Sequence, residues 1–111
     1  MDRNLTGQQA EALNPKMPKV GPDTMSADMT AEIESLWKAG RACVLGRFLT
    51  VPRAPHEHLV DLYVALDTGD IAAHTWTWVC GVRPSHEAAC YFLTTWHLNR
   101  CIDDVADHSP L

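Results

Sequence analysis

The chain has 111 residues with a hydrophobic fraction of 46%, which suffices for one domain with a core but not for two domains. Its net charge is −5 and its nine Lys and Arg residues are scattered, which argues against binding nucleic acid through phosphate contacts. No run of about 18 apolar residues could span a membrane, and residues 1–9 lack the apolar centre of a secretory signal, so we expect a cytoplasmic protein with reduced cysteines.

The first part of the chain predicts a flexible N-terminal tail over 1–26, followed by a single small domain over 27–111. Prolines and glycines interrupt any periodic pattern in the tail, and large apolar side chains are sparse there. The domain begins with a helix over 28–39, in which apolar residues recur with the spacing of one helical face. These residues are Met29, Ile33, Leu36 and Trp37. Gly40 is placed to end this helix in the left-handed conformation.

Three strands are predicted next. Residues 41–51 are rich in β-branched and apolar side chains, with Gly46 as a candidate bulge position. Residues 56–68 fit either a helix or a strand, and we favour a strand over 58–67. Residues 71–80 predict a strand because two faces alternate. The first face carries His74, Trp76, Trp78 and Cys80, and the second carries Thr75, Thr77 and Val79.

A long final helix is predicted over 86–107, with Ser85 as its N-cap. The expected fold class is therefore α+β, with an N-terminal helix, a three-stranded antiparallel sheet and this C-terminal helix packed on one face. The core would form between the Trp-bearing face of the sheet and the side of the helix that carries Phe92 and Trp96. If residues 56–68 were helical, the sheet would have two strands and the fold would be mostly α.

A first candidate metal site lies in the segment Pro55-His56-Glu57-His58. On a strand, His56 and His58 share one face, and Asp61 could add a carboxylate to the two imidazoles. The segment 43–71 resembles the first metal motif of the cupin family. The matching residues are Val51, Pro52, His56, His58, Asp61 and Gly69. The resemblance implies one transition metal held by the two histidines and Asp61, acting as a Lewis acid or a redox centre in a small β-sheet pocket.

A second candidate metal site lies on the final helix. A narrow stripe of this helix carries His86, Cys90, His97 and Cys101. His and Cys one turn apart can share a zinc ion, and His97 with Cys101 is the pair we single out. All four cannot reach one ion, because His86 and Cys101 are about 22 Å apart along the axis. Each pair would need further ligands from elsewhere in the chain or from a second chain. The alternative is that the cysteines pack as small apolar residues.

Aromatic residues supply the candidate interaction surface. Four tryptophans are many for a chain of this length, and aromatic side chains are enriched at protein interfaces. The alternative is that these rings fill the core. The candidate interaction residues are Trp76, Trp78, Phe92 and Trp96.

These observations lead to two functional hypotheses. No Gly-x-Ser-x-Gly, P-loop or Rossmann fingerprint is present, so the sequence favours a function without catalysis. The first hypothesis is a small accessory, regulatory or inhibitor-type module that binds another protein or a second copy of itself and needs no cofactor. The alternative is a cupin-like metal-binding protein or metalloenzyme with one transition metal or zinc ion.

Overall fold

The computed structural model describes residues 3–18, 26–53, 59–66 and 70–107, with the backbone alone for Ser26 and residues 97–107. Within these residues the fold is α+β, as predicted, with three α-helices and four strands. The helices are α1 (Gly7–Ala12), α2 (Ser26–Lys38) and α3 (His86–Asp107). The strands are β1 (Cys43–Leu45), β2 (Phe48–Pro52), β3 (Val60–Val64) and β4 (Thr77–Val82). A 3₁₀ turn (Ile71–Ala73) precedes β4.

The four strands form one antiparallel sheet in which each strand pairs with the next along the chain. The prediction of one strand over 41–51 is wrong, because the chain reverses at Gly46 and Arg47 and Leu45 pairs with Phe48. Gly46 has a φ of 57°, in the left-handed region that glycine enters without steric cost. A tight turn therefore makes a hairpin of β1 and β2, and the sheet has four strands instead of three.

The other two predicted strands are present with shifted bounds. β3 lies within 56–68 and pairs with β2 on one side and β4 on the other, so the strand alternative is confirmed for this segment. The strand predicted over 71–80 is β4, which begins only at Thr77. Asp70 accounts for the late start, because its carboxylate accepts a hydrogen bond from the Ala72 N–H at 3.1 Å and caps the 3₁₀ turn.

An irregularity in the pairing of β3 with β4 decides which residues share a face. Tyr63 pairs with Trp78 and Leu62 pairs with Cys80, so Val79 is an extra residue on β4. A bulge of one residue reverses the alternation of faces beyond it. Trp78 therefore lies on the face of Tyr63, and Cys80 lies on the opposite face with Leu62. The prediction that Trp78 and Cys80 share a face is wrong for this reason.

α2 ends as its sequence predicts. Gly40 has a φ of 70°, and its N–H donates to the Trp37 carbonyl at 3.0 Å. The N–H of Arg41 donates to the Leu36 carbonyl at 2.8 Å. These two bonds satisfy carbonyls that the end of a helix would otherwise leave without a partner. The chain then turns directly from α2 into β1, which places the helix beside the sheet.

α3 covers the range predicted for the final helix. Ser85 caps it, because its Oγ accepts a hydrogen bond from the Ala88 N–H at 3.0 Å. Only a few residues separate β4 from α3, so the helix begins at the edge of the sheet. Among the described residues, no helix combines the length and apolar character needed to cross a bilayer.

α2 and α3 pack on one face of the sheet. The core on this face is formed by Met29, Ile33, Trp37, Cys43, Leu45, Val60, Ala89, Phe92, Leu93 and Trp96. A chain of hydrogen bonds ties α2 to the hairpin: the Trp37 Nε1–H donates to Thr50 Oγ1 at 3.0 Å, and Thr50 Oγ1 donates to the Cys43 carbonyl at 3.3 Å. The indole therefore buries its ring without leaving its N–H unpaired.

A second core lies on the opposite face. It is formed by Ala10, Ala42, Val44, Leu49, Tyr63, Ala65 and Trp76. The predicted core, which joined the Trp-bearing face to Phe92 and Trp96, is therefore wrong. Trp76 belongs to the second core, whereas Phe92 and Trp96 belong to the first. A sheet with apolar side chains on both faces needs a cover on each, and the N-terminal segment supplies the second cover.

The N-terminal segment, residues 3–18, differs from the predicted flexible tail. Leu5 and Trp76 exchange backbone hydrogen bonds of 2.9 and 2.8 Å, which extends the sheet beyond β4. Lys16 bonds to the backbone of Ala42 and Val44, both at 2.9 Å, at the β1 edge. α1 lies between these contacts and begins with a capping box. Residues 1, 2 and 19–25 lie outside the described residues.

Candidate functional site

A cleft of about 390 Å³ opens between α3 and the sheet. Its walls are mainly apolar and come from α2, α3 and strands β2 to β4. The apolar lining includes Trp37, Phe48, Leu62, Val82, Ala88 and Phe92. A volume of this size lies within the range of pockets that take a small molecule or a single large side chain, roughly 300–1,000 Å³.

The bulge in β4 contributes to this cleft. Because Val79 is an extra residue, Cys80 and Val82 point to the α3 side of the sheet and line the cleft floor. Tyr91 lines the cleft although the residue as a whole is 70% exposed. Of the described residues that line the cleft, Glu87 is the only one with a carboxylate or a basic group. The cleft is therefore an apolar recess with one acidic group at its boundary.

The four rings predicted to form an interaction surface are divided between the two faces of the sheet. Trp76 is 1% exposed, Phe92 5% and Trp96 7%, so these rings contribute to the cores in this conformation. Phe92 also lines the cleft. Trp78 is half-buried and belongs to a polar network on the opposite face.

That polar network is centred on Asp61. Arg53 donates to both carboxylate oxygens at 2.8 to 3.0 Å, and the Trp78 Nε1–H donates to Oδ1 at 2.9 Å. The Arg3 guanidinium lies 4.9 Å from the centre of the Trp78 ring. Gly81 leaves room for the ion pair, because a Cβ there would lie 3.3 Å from the guanidinium of Arg53. The network joins β3, β4 and the N-terminal segment.

The network lowers the pKa of Asp61. Burial alone would raise this pKa, but hydrogen bonds from Arg53 and Trp78, together with the charges of Arg53 and Arg3, outweigh burial. The carboxylate is therefore ionised and fully engaged near neutral pH. This arrangement is typical of a structural ion pair.

We expect Asp61→Asn to remove part of the acid sensitivity of the fold. A carboxyl whose pKa is lower in the folded state stabilises the fold above its unfolded pKa of about 3.9 and loses this contribution as the pH falls through the folded pKa. The variant should be less stable near neutral pH by about 2 kcal/mol. The measurement is the free energy of unfolding in urea between neutral pH and pH 3 or so, with Asp28→Asn as the control at an exposed carboxylate. A variant with the same acid profile as the wild type would contradict this account.

The structure describes only some of the predicted metal ligands. His56 and His58 lie outside the described residues, and Asp61 points its oxygens at Arg53 and Trp78. The backbone at His97 and Cys101 is helical, and their side chains are outside the description. No group of three or more metal-ligating side chains occurs within the described part of the chain. The two metal hypotheses therefore stay predictions.

A separate cluster of polar side chains, apart from the cleft and the Asp61 network, joins α2 to the first turns of α3. Cys90 Sγ lies 3.5 Å from His86 Nε2, and His86 Nδ1 lies 3.1 Å from Glu34 Oε2. Thr30 Oγ1 lies 3.9 Å from the same sulfur. The i, i+4 spacing of His86 and Cys90 is visible in the sequence, but Glu34 is far away in the chain, and only the packing of α2 on α3 reveals it.

The described cysteines differ in their surroundings. Cys43 is fully buried in the first core, and burial raises the pKa of its thiol to about 12. The hydrogen bond with Thr50 lowers this pKa and the charge of Glu32 raises it, but both effects are smaller than that of burial. Cys80 and Cys90 are half-buried, the first in the cleft and the second beside His86. Cys43 is therefore an inert core residue, whereas the other two are within reach of solvent.

Comparisons with known proteins return no significant match to any family model, curated protein or solved structure. Function therefore has to be inferred from the geometry of the sites.

Proposed function

We propose that the protein is a binding module without catalytic activity and that it docks an extended, apolar segment of a partner protein between β4 and α3. The observation that carries this proposal is the apolar cleft of about 390 Å³ beside the edge of the sheet. A partner side chain would fill the cleft, and the partner backbone would lie along β4.

The lining of the cleft supports an apolar occupant. Burying one Leu, Ile, Phe or Met side chain is worth about 1.5–3 kcal/mol, and the cleft offers few polar groups that would compete with it. Glu87 at the boundary and the net charge of −5 favour a basic residue next to the buried side chain. The partner segment would thus combine an apolar anchor with a neighbouring Lys or Arg.

The position of β4 supports an extended occupant. β4 is the last strand of the sheet, and the N-terminal segment covers only its beginning, through Leu5 at Trp76 and Asn4 Oδ1 at the Trp78 N–H. Among the described residues, no strand pairs with the outer edge of Val79–Val82. An edge strand next to an apolar recess can accept an added strand, with backbone hydrogen bonds for affinity and the recess for specificity.

A displayed library of random peptides, selected on the immobilised full-length protein, tests the proposal. We expect the enriched peptides to carry apolar residues at alternating positions and a Lys or Arg nearby. Ala88→Trp fills the cleft and should weaken binding of these peptides by about tenfold or more, equivalent to about 1.4 kcal/mol. Thr94→Trp places the same ring on an exposed position of α3 and should leave binding unchanged.

Two results would contradict the proposal. One is a selection that enriches no peptide, and the other is a set of peptides that bind Ala88→Trp as well as the wild type. Thermal melts of both variants show whether the fold is retained. A further variant, Glu87→Lys, reverses the charge at the cleft boundary and should select against peptides with basic residues.

A further inference from the structure

We infer that Cys90 is a reactive thiol that exchanges with low-molecular-weight disulfides, with His86 as its proton acceptor and Glu34 as the group that orients His86. This site is separate from the cleft. Cys90 and His86 lie on the side of α3 that faces α2, whereas Ala88 and Tyr91 lie on the cleft side. The inference therefore does not depend on the proposed binding function.

The contact with Glu34 fixes which nitrogen of His86 carries the hydrogen. A carboxylate only accepts hydrogen bonds, so Nδ1, which lies 3.1 Å from Glu34 Oε2, must be the protonated nitrogen. In the neutral ring, Nε2 then presents its lone pair, and this atom lies 3.5 Å from Cys90 Sγ. The order of groups is nucleophile, base and orienting carboxylate, which is the arrangement that activates thiols.

Helix geometry holds the first two groups in place. His86 and Cys90 are one turn apart on α3, so their side chains stack on the same face. Glu34 comes from α2, which packs along α3 through the first core. The side chain of His86 is 68% exposed and that of Glu34 29%, so small solutes can approach the half-buried sulfur from solvent.

The reaction balances with a disulfide as the named oxidant. The Cys90 S–H proton passes to His86 Nε2, and the thiolate attacks one sulfur of the disulfide. A new S–S bond forms to Cys90, the original S–S bond breaks, and the leaving thiolate takes the proton back from the imidazolium. Cys90 is oxidised to a mixed disulfide, and half of the small disulfide is reduced to a thiol.

The test uses the full-length protein and dipyridyl disulfide, whose release of thione is followed optically near neutral pH. Peptide mapping by mass spectrometry assigns the modified cysteines. We expect Cys90 to react at least about tenfold faster than in the urea-unfolded chain, and His86→Ala to remove this advantage. Glu34→Gln should slow the reaction about threefold, whereas Glu11→Gln, which removes the same charge from an exposed position of α1, should not.

A spectroscopic measurement separates orientation from a loss of structure. In a ¹⁵N-detected spectrum, His86 should be the Nδ1–H tautomer in the wild type and a mixture of tautomers in Glu34→Gln. A Cys90 rate equal to that of the unfolded chain, or a rate unaffected by His86→Ala in a folded protein, would overturn the inference. A wild-type His86 that is protonated on Nε2 would overturn the role of Glu34.

Discussion

Gly7→Ala is expected to release α1 from the sheet and to destabilise the protein by about 3 kcal/mol. A Cβ at Gly7 would collide with the carbonyl group of Ala72 and would lie 2.8 Å from the His74 carbonyl oxygen. These are backbone atoms of the turn that leads into β4, so no side-chain rotation can relieve the contact. The expected sign is opposite to the usual one, because alanine in a helix is normally favoured over glycine by about 1 kcal/mol.

Urea unfolding measures the stability of this variant, and amide hydrogen exchange at Leu5 and Trp76 measures the docking of the segment. Both amides donate to each other's carbonyl in the wild type, so both should lose protection if α1 is released. Gln8→Ala, at the next, exposed position of α1, is the matched control and should be neutral or slightly stabilising. Gly7→Ala with wild-type stability and protection would mean that the segment does not pack as described.

Trp37→Ala is expected to cost about 3–5 kcal/mol, which is a large part of the stability of a domain of this size. Trp37 is 5% exposed and lies in the first core. Its loss opens a cavity that merges with the cleft, and it removes the indole donor that Thr50 accepts at 3.0 Å. The cavity and the lost hydrogen bond both lower the free energy of unfolding.

Trp37→Phe separates the two contributions. It keeps an aromatic ring in the core and removes only part of the volume and the N–H donor, so it should cost about 1–2 kcal/mol. Guanidinium or urea titrations of both variants, compared with the wild type, give the two values. A loss below about 1 kcal/mol for Trp37→Ala would contradict the placement of this ring in the core.

The two longer helices, α2 and α3, were predictable from the sequence because their signals are local. The apolar spacing in α2, the glycine at position 40 and the Ser85 cap each act within a turn or two of the residues they affect. The local signal at β3 was ambiguous, because residues 56–68 fit a helix as well as a strand. The tertiary contacts of the two helices agree with their local preferences, so the helices form where the local signals place them.

The sheet was predicted less well, because each error in its strands comes from the placement of a single turn or bulge residue. The sequence predicts a bulge at Gly46 within one strand, but Gly46 closes a hairpin, and the bulge lies at Val79, where the sequence predicts regular alternation. A prediction of faces from strict alternation fails at a one-residue insertion, because every side chain beyond the insertion changes face. The division of Trp78 and Cys80 between two faces followed from this.

The sites depend on contacts that are distant in the chain. Glu34 and His86, or Arg53 and Asp61, come together only through the packing of separate elements. Asp61 belongs to the predicted metal motif, but the partner of its carboxylate is Arg53, which no motif in the sequence marks. Side-chain pairing of this kind carries no periodic signal.

The backbone contact between Leu5 and Trp76 also bears on how the chain is made. The two residues are about 70 positions apart, so during translation the segment that covers the second core emerges well before the strand on which it docks. At roughly 5–20 residues per second, this leaves an interval of about 4–14 s. Throughout that time, the N–H and the carbonyl of Leu5 lack the backbone partner that they find in Trp76.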